Sequence, residues 1–156
     1  MLELQDIHYQ PATSNKAVLK GVNLKIDLGV PTIITGASGS GKTSLIEIIS
    51  GLSSHKKGSI SWKGRTLRPR ERRVLCGMVF QFPERHFLGL TIAQELRLGH
   101  RRLSTEKQIN ILKLVGLENV DLTKPPEVLS GGQQRRLAIA VQLLKEPNIL
   151  LLDEPT

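Results

Sequence analysis

With one cysteine in 156 residues, Cys76, the chain cannot close a disulfide within itself. That suits a reducing compartment and excludes a disulfide-stapled scaffold. Aromatic residues are only 3% of the composition, so the core has to be aliphatic. No apolar run approaches the ~20 residues that a membrane-spanning helix needs. The longest, Leu137–Val141 and Ile149–Leu152, fall far short. The first residues, Met1-Leu2-Glu3-Leu4-Gln5-Asp6, lack the basic and apolar regions of a signal peptide, and their acids argue against a transit peptide. There is no internal repeat, low-complexity segment or flexible linker.

What the chain does have is positive charge and enough length for one domain with a core. The net charge is +8. Arg65, Arg68, Arg70, Arg72 and Arg73, offset by Glu71, supply half of it. Three readings fit this run: a solvated basic loop, a nucleic-acid patch, or a surface near anionic lipid headgroups. No aromatic is interleaved among the arginines, so bases would find no stacking platform there, which disfavours nucleic acid as a partner.

Local patterns predict an α/β order. Leu2, Leu4 and Ile7, then Val18, Val22, Leu24 and Ile26, read as two strands around a polar turn at Pro11–Lys16. Pro31–Thr35 is a short β-branched run expected to be a strand, followed by a glycine loop and a helix from about Lys42 to Ser50 that stops at Gly51. Gly58–Trp62 and Val74–Phe80 read as further strands. From Thr91 the period lengthens. Ile92, Leu96 and Leu98 suit a short helix. Ser104 suits the N-cap of another, with Ile109, Leu112 and Val115 on one face and Gly116 ending it. A last helix runs from Gly131 or Gly132 to about Lys145, with Leu137, Val141 and Leu144 on one face. Ile149–Leu152 is all apolar, as expected for a buried parallel strand.

Three motifs carry chemistry. Gly36-Ala37-Ser38-Gly39-Ser40-Gly41-Lys42-Thr43 fits the pattern G-x-x-x-x-G-K-[ST]. Glycines let backbone N–H groups approach phosphate oxygens, and the helix start adds positive potential. Lys42 supplies a point charge for the β- and γ-phosphates, and the Thr43 hydroxyl can ligate Mg²⁺. Asp153 ends the buried strand, at the sheet edge where open α/β sheets bind ligands, and is placed to hold Mg²⁺. Glu154 follows, an acid able to polarise an attacking water. Leu129-Ser130-Gly131-Gly132-Gln133 begins a helix with Ser130 as N-cap, a second site where backbone amides could meet an anion.

Together these motifs resemble the ATP-binding subunits of ABC (ATP-binding cassette) proteins, collinearly over the whole chain. The resemblance implies a P-loop NTPase core with an N-terminal antiparallel β subdomain and a helical insertion. Residues 1–86 would hold the β subdomain and P-loop core, 87–128 the helical insertion, and 129–156 the signature helix and Walker B strand. It implies ATP and Mg²⁺ as cofactors. Gly36, Ala37, Ser38, Gly39, Ser40, Gly41, Lys42, Thr43 and Ser44 would bind the phosphates, and Tyr9 would stack on adenine. Gln81 would touch Mg²⁺ and the attacking water, beside Glu154. Thr43, Gln81 and Asp153 would hold the metal. Ser130, Gly131, Gly132 and Gln133 would cap the ATP of a second nucleotide-binding subunit, identical or different. A separate transmembrane subunit would complete a transporter, placing this chain peripherally on the cytoplasmic face of a membrane.

Phe80-Gln81-Phe82-Pro83-Glu84 resembles the glutamine loops of cobalt-type and energy-coupling-factor importers, so a metal ion or vitamin is the expected cargo. Arg85-His86-Phe87-Leu88 is similar to a plastid and cyanobacterial branch, which offers the plastid stroma or envelope as the alternative location. Two other functions stand beside the transporter: a soluble ABC ATPase acting on nucleic acid or ribosomes, and a non-catalytic nucleotide-binding fragment.

The resemblance also implies that the family's fold continues past the Walker B strand, to a central strand and a switch histidine. His8, His55, His86 and His100 all lie upstream of it. Each buried polar group left unpaired costs about 1–3 kcal/mol, against about 5–15 kcal/mol for a whole domain. The expectation is therefore that these 156 residues fold poorly alone and turn over ATP very weakly.

Overall fold

Strand β1 (Leu2–Tyr9) lies between β2 (Leu19–Ile26) and β3 (Lys57–Trp62), antiparallel to both. Alternation buries Leu2 and Leu4, where Leu4 opposes Leu24 on one side and Ile60 on the other. The parity then changes, and Ile7 is the next residue fully buried. A bulge accounts for this, since the register slips between Gln5 and His8. Asp6 sits in the bulge at φ 50°, its N–H donating to Asn23 and its carboxylate meeting Lys57 at 2.7 Å. Opposite, Gly58 holds φ 102°, and a Cβ there would lie 2.4 Å from the carbonyl oxygens of Gln5 and Asp6. Only glycine lets β3 come this close. β3 then turns through Lys63-Gly64, both at positive φ, into β4 (Arg65–Thr66), the two-residue hairpin geometry that matches strand twist.

Helix α1 (Lys42–Ser50) ends at Gly51 in the left-handed region, where the sequence places its stop. Helix α2 (Pro69–Leu75) replaces the first part of the expected Val74–Phe80 strand. Pro69 pre-sets the first turn, and Glu71 accepts from the Arg68 N–H at 2.8 Å and from Arg65 at 2.7 Å. These two donors hold the Glu71 carboxyl below its usual range. Helical Val74 is exposed, and the strand proper, β5, spans Cys76–Val79. Burial pushes the Cys76 thiol up to about 11, so it packs as a small core residue.

Pro31–Thr35 forms no strand, contrary to expectation. Ile33 is 84% exposed. β-Branched residues favour extended backbone, but a strand needs a ladder partner. Among the described residues none pairs with this run.

The computed structural model describes residues 1–154, which divide into two units, Met1–Cys76 and the described residues from Gly77 onward. In the second unit β5 pairs in parallel with β6 (Ile149–Leu152). Helices α3 (Ile92–Arg97), α4 (Thr105–Leu114) and α5 (Gly131–Leu143) surround an aliphatic cluster of Ile92, Leu96, Leu112, Leu117, Leu129, Leu137, Ala140, Val141 and Leu144. The α5 face is the expected one. The α4 face is rotated: Gln108 and Leu112 are buried, whereas Ile109 is half exposed. Gln108 tolerates burial because its amide donates to the Leu103 carbonyl at 3.4 Å. Arg136 of α5 donates to the Gly116 carbonyl at 2.8 Å, so a cation satisfies the end of α4.

Arg72 is the least comfortable residue of the first unit. It is 1% exposed. Its Nη1 donates to the Leu67 carbonyl at 3.0 Å, while Nε and Nη2 have no partner among the described residues. Burial pushes its pKa down. An uncompensated buried charge is more costly than a buried methylene chain. Arg72→Met is therefore expected to stabilise the first unit by about 1–4 kcal/mol. Urea titration followed through Trp62 fluorescence checks it, and an unchanged or lower midpoint would contradict it.

Candidate functional site

The glycine loop lies in the first unit. It leads from the unpaired run through Gly36 to Gly41, the N-cap of α1, at φ 94°. A Cβ on Gly41 would lie 2.7 Å from Val18 Cγ1 and 3.0 Å from Leu19 Cδ2. Glycine at this position thus serves both the left-handed turn and the close approach of the β2 start. Inside the loop, the Ser40 N–H donates to the Ala37 carbonyl at 3.1 Å. Lys42 folds back so that Nζ donates to the carbonyls of Gly36 at 3.0 Å and Ala37 at 3.1 Å. The ammonium is held by neutral carbonyls, with no carboxylate among these partners to compete for it. α1 has no acidic residue in its first turn and no side-chain cap on its amides. Helix start, lysine and loop therefore present positive potential to an anion. Ser38 and Gly39 are exposed, as are Gly36, Ala37, Ser40 and Thr43, while Ser44 is half-buried.

Tyr9 ends β1. Its carbonyl accepts the Val18 N–H at 2.8 Å, and Val18 is the residue against which Gly41 packs. The backbone of half-buried Tyr9 is thus one residue removed from the loop.

In the second unit, Asp153 follows β6 and is buried at 6% exposure, its N–H donating to the Val79 carbonyl of β5 at 3.0 Å. Glu154 follows at φ 48°, a left-handed conformation outside the extended backbone of the strand. Gln81 Nε2 donates to Glu154 Oε2. Two residues separated by 73 positions in sequence thus meet at the ends of paired strands. Ser130 caps α5: its Oγ accepts the Gln133 N–H at 3.3 Å, and Gln133 Oε1 accepts the Ser130 N–H at 2.8 Å. This reciprocal box fixes the helix start and leaves Gly131 and Gly132 exposed, with nothing within 4 Å of where their Cβ atoms would be.

The carboxylate of Asp153, the amide oxygen of Gln81 and, in the other unit, the hydroxyl of Thr43 are each of the oxygen type that suits a hard cation such as Mg²⁺. No cluster of three His, Cys, Asp or Glu side chains able to hold a metal occurs among the described residues, and that donor set calls for none.

Motif reading missed Glu95. This α3 carboxylate is buried, and its Oε2 accepts the N–H groups of Leu88 at 2.8 Å and Gly89 at 2.7 Å. It anchors the segment that follows Gln81. The available signal was an acid between Ile92 and Leu96, on a helix whose apolar face turns inward.

A family model described as ABC transporter matches residues 19–156. The chain is 36% identical to ABC transporter I family member 11, chloroplastic, of Arabidopsis thaliana, over 99% of this chain and 61% of that protein. It is also 36% identical to the cobalt import ATP-binding protein CbiO of Syntrophus aciditrophicus, over 100% of this chain and 59% of that one. The chain thus spans about three fifths of the length of these relatives. Among solved structures, the dimeric post-hydrolysis state of the ATP-binding cassette MJ0796, bound to ADP and Pi, superposes with a TM-score of 0.82 at 30% identity, covering all of this chain and 75% of that one. No helix among the described residues is long and apolar enough to cross a membrane. Loop, strand-end acids, capped signature helix and fold converge, and the chain belongs to the ABC transporter family.

Proposed function

We propose that this chain is part of the ATP-hydrolysing subunit of an ABC importer, on the cytoplasmic face of a membrane, with plastid placement as the alternative supported by the Arabidopsis relative. The observation that carries the reading is the Gln81–Glu154 hydrogen bond beside the buried Asp153. Lys42 and the loop amides bind and orient the β- and γ-phosphates, and Tyr9 stacks on adenine. Thr43, Asp153 and Gln81 would hold Mg²⁺, which neutralises phosphate charge when bound. Glu154 takes up the proton side of the attacking water, and the Gln81 amide orients that carboxylate. Ser130 and the Gly131 and Gly132 amides would cap ATP on a second subunit. The dimeric MJ0796 cassette supports that arrangement. The cobalt-import relative supports a metal-ion cargo handled by a separate membrane subunit.

Phosphate release from MgATP tests this. However slow the chain's rate, Glu154→Gln lowers it by about 10²-fold or more, the range for loss of a general base, and leaves ATP affinity within a few-fold. Equal rates in the two proteins would sink the catalytic assignment.

A further inference from the structure

Away from every motif above, the turn between α3 and α4 collects cations. Arg97, His100, Arg101 and Arg102 fall within six positions, and no acid lies between Arg97 and Ser104. These four side chains, with Leu103 and Ser104, line a groove of about 430 Å³. Arg97, Arg101 and Arg102 are exposed. None of the three makes an ion pair among the described residues, whereas Lys107, one turn into α4, is committed to Glu146 at 2.8 Å. His100 differs from the arginines. Its Nε2 is buried and has no hydrogen-bond partner among the described residues. A second source of positive potential ends in the same groove. Ser104 is the N-cap of the ten-residue α4, and its Oγ takes the Lys107 N–H, so the first amides of that helix are left to another acceptor. Glu106 in the first turn and Glu146, which pairs with Lys107 and also lies within electrostatic reach of His100, are the nearby opposing charges.

We propose that this groove is a binding site for a phosphate-bearing anion. Guanidinium groups present paired N–H donors that match phosphate oxygens. The unclaimed first amides of α4 supply further donors. A bare cationic surface would solvate its arginines separately, but here they line one groove together with the start of α4. No Phe, Tyr or Trp lines the groove, so the usual platform for stacked bases is missing, and a compact phosphate is favoured over single-stranded nucleic acid. Free phosphate and a lipid headgroup share this chemistry. The site uses none of the residues assigned to ATP, so it stands or falls separately from the ATPase reading.

The test uses the whole chain and two double variants of equal charge change, Arg101→Glu with Arg102→Glu and, as control, Lys113→Glu with Lys124→Glu. All four side chains are exposed, and circular dichroism compares their folding. One arm titrates inorganic pyrophosphate and follows the amide resonances of residues 97–106. This separates the groove from the glycine loop, which also binds phosphate. The other arm measures co-sedimentation with phosphatidylcholine vesicles with and without phosphatidylglycerol. Wild type and the lysine control bind in at least one arm, and the arginine variant loses at least tenfold. Pyrophosphate shifts alone identify a free phosphate as the ligand, and vesicle binding alone identifies a headgroup. Binding in neither arm overturns the site. So does equal loss in both variants, which marks unspecific charge. Tighter, arginine-dependent binding of single-stranded RNA than of either probe also overturns it.

Discussion

Lys42→Ala weakens ATP binding by about 10²–10⁴-fold. Each hydrogen bond from the ammonium to a phosphate is charge-assisted and contributes about 1.5–3 kcal/mol. Losing two of them corresponds to about two to four decades of affinity. The same nitrogen ties the loop to the Gly36 and Ala37 carbonyls, so alanine also loosens the loop that must meet the ligand. The fold itself stays close to wild type, because the aliphatic core of the first unit does not involve this side chain. Equilibrium titration with ATP, beside far-ultraviolet circular dichroism, separates the two effects. A variant that binds within threefold of wild type would remove the loop from the nucleotide site.

Gly58→Ala opens the central pair of strands. The added methyl lies 2.4 Å from two backbone carbonyl oxygens at φ 102°, and neither can move without breaking the bulge. Backbone strain costs about 1–3 kcal/mol and overpacking a similar amount. We expect a loss of about 2–4 kcal/mol, seen as a fall of roughly 30- to 1,000-fold in hydrogen-exchange protection of β1 and β3 amides. Gly64→Ala is the control. Gly64 also has positive φ, but nothing lies within 4 Å of its missing Cβ, so it carries the strain without the clash. Equal losses at the two positions would show that conformation, not contact, sets the requirement at Gly58.

Much of this was legible in the sequence, because the signals were local. Gly51 stops α1 at the expected residue, Ser104 and Ser130 cap α4 and α5, and Leu137, Val141 and Leu144 are buried together. Such features depend on neighbours three or four positions away. What failed depended on distant partners. Pro31–Thr35 has strand composition, yet composition cannot provide a ladder. Val74 and Leu75 were read as strand because their apolarity outweighed the helix start at Pro69 and Glu71. The three readings of the basic run all face its arginines outward, whereas Arg72 turns inward and donates to the Leu67 carbonyl. Of the candidate site, the motifs named the residue types. The fold added the Gln81–Glu154 bond across 73 positions and the place of Tyr9 at the strand end beside Val18, neither of which follows from spacing.

Calorimetric titration of the purified chain with MgATP tests the central claim most directly, run alongside Lys42→Ala and Glu154→Gln. The account predicts saturable binding by the wild type, retention of it in Glu154→Gln, and its loss in Lys42→Ala. A chain whose circular dichroism shows the helices and sheet in place, yet which binds no ATP or binds it equally well without Lys42, would contradict it.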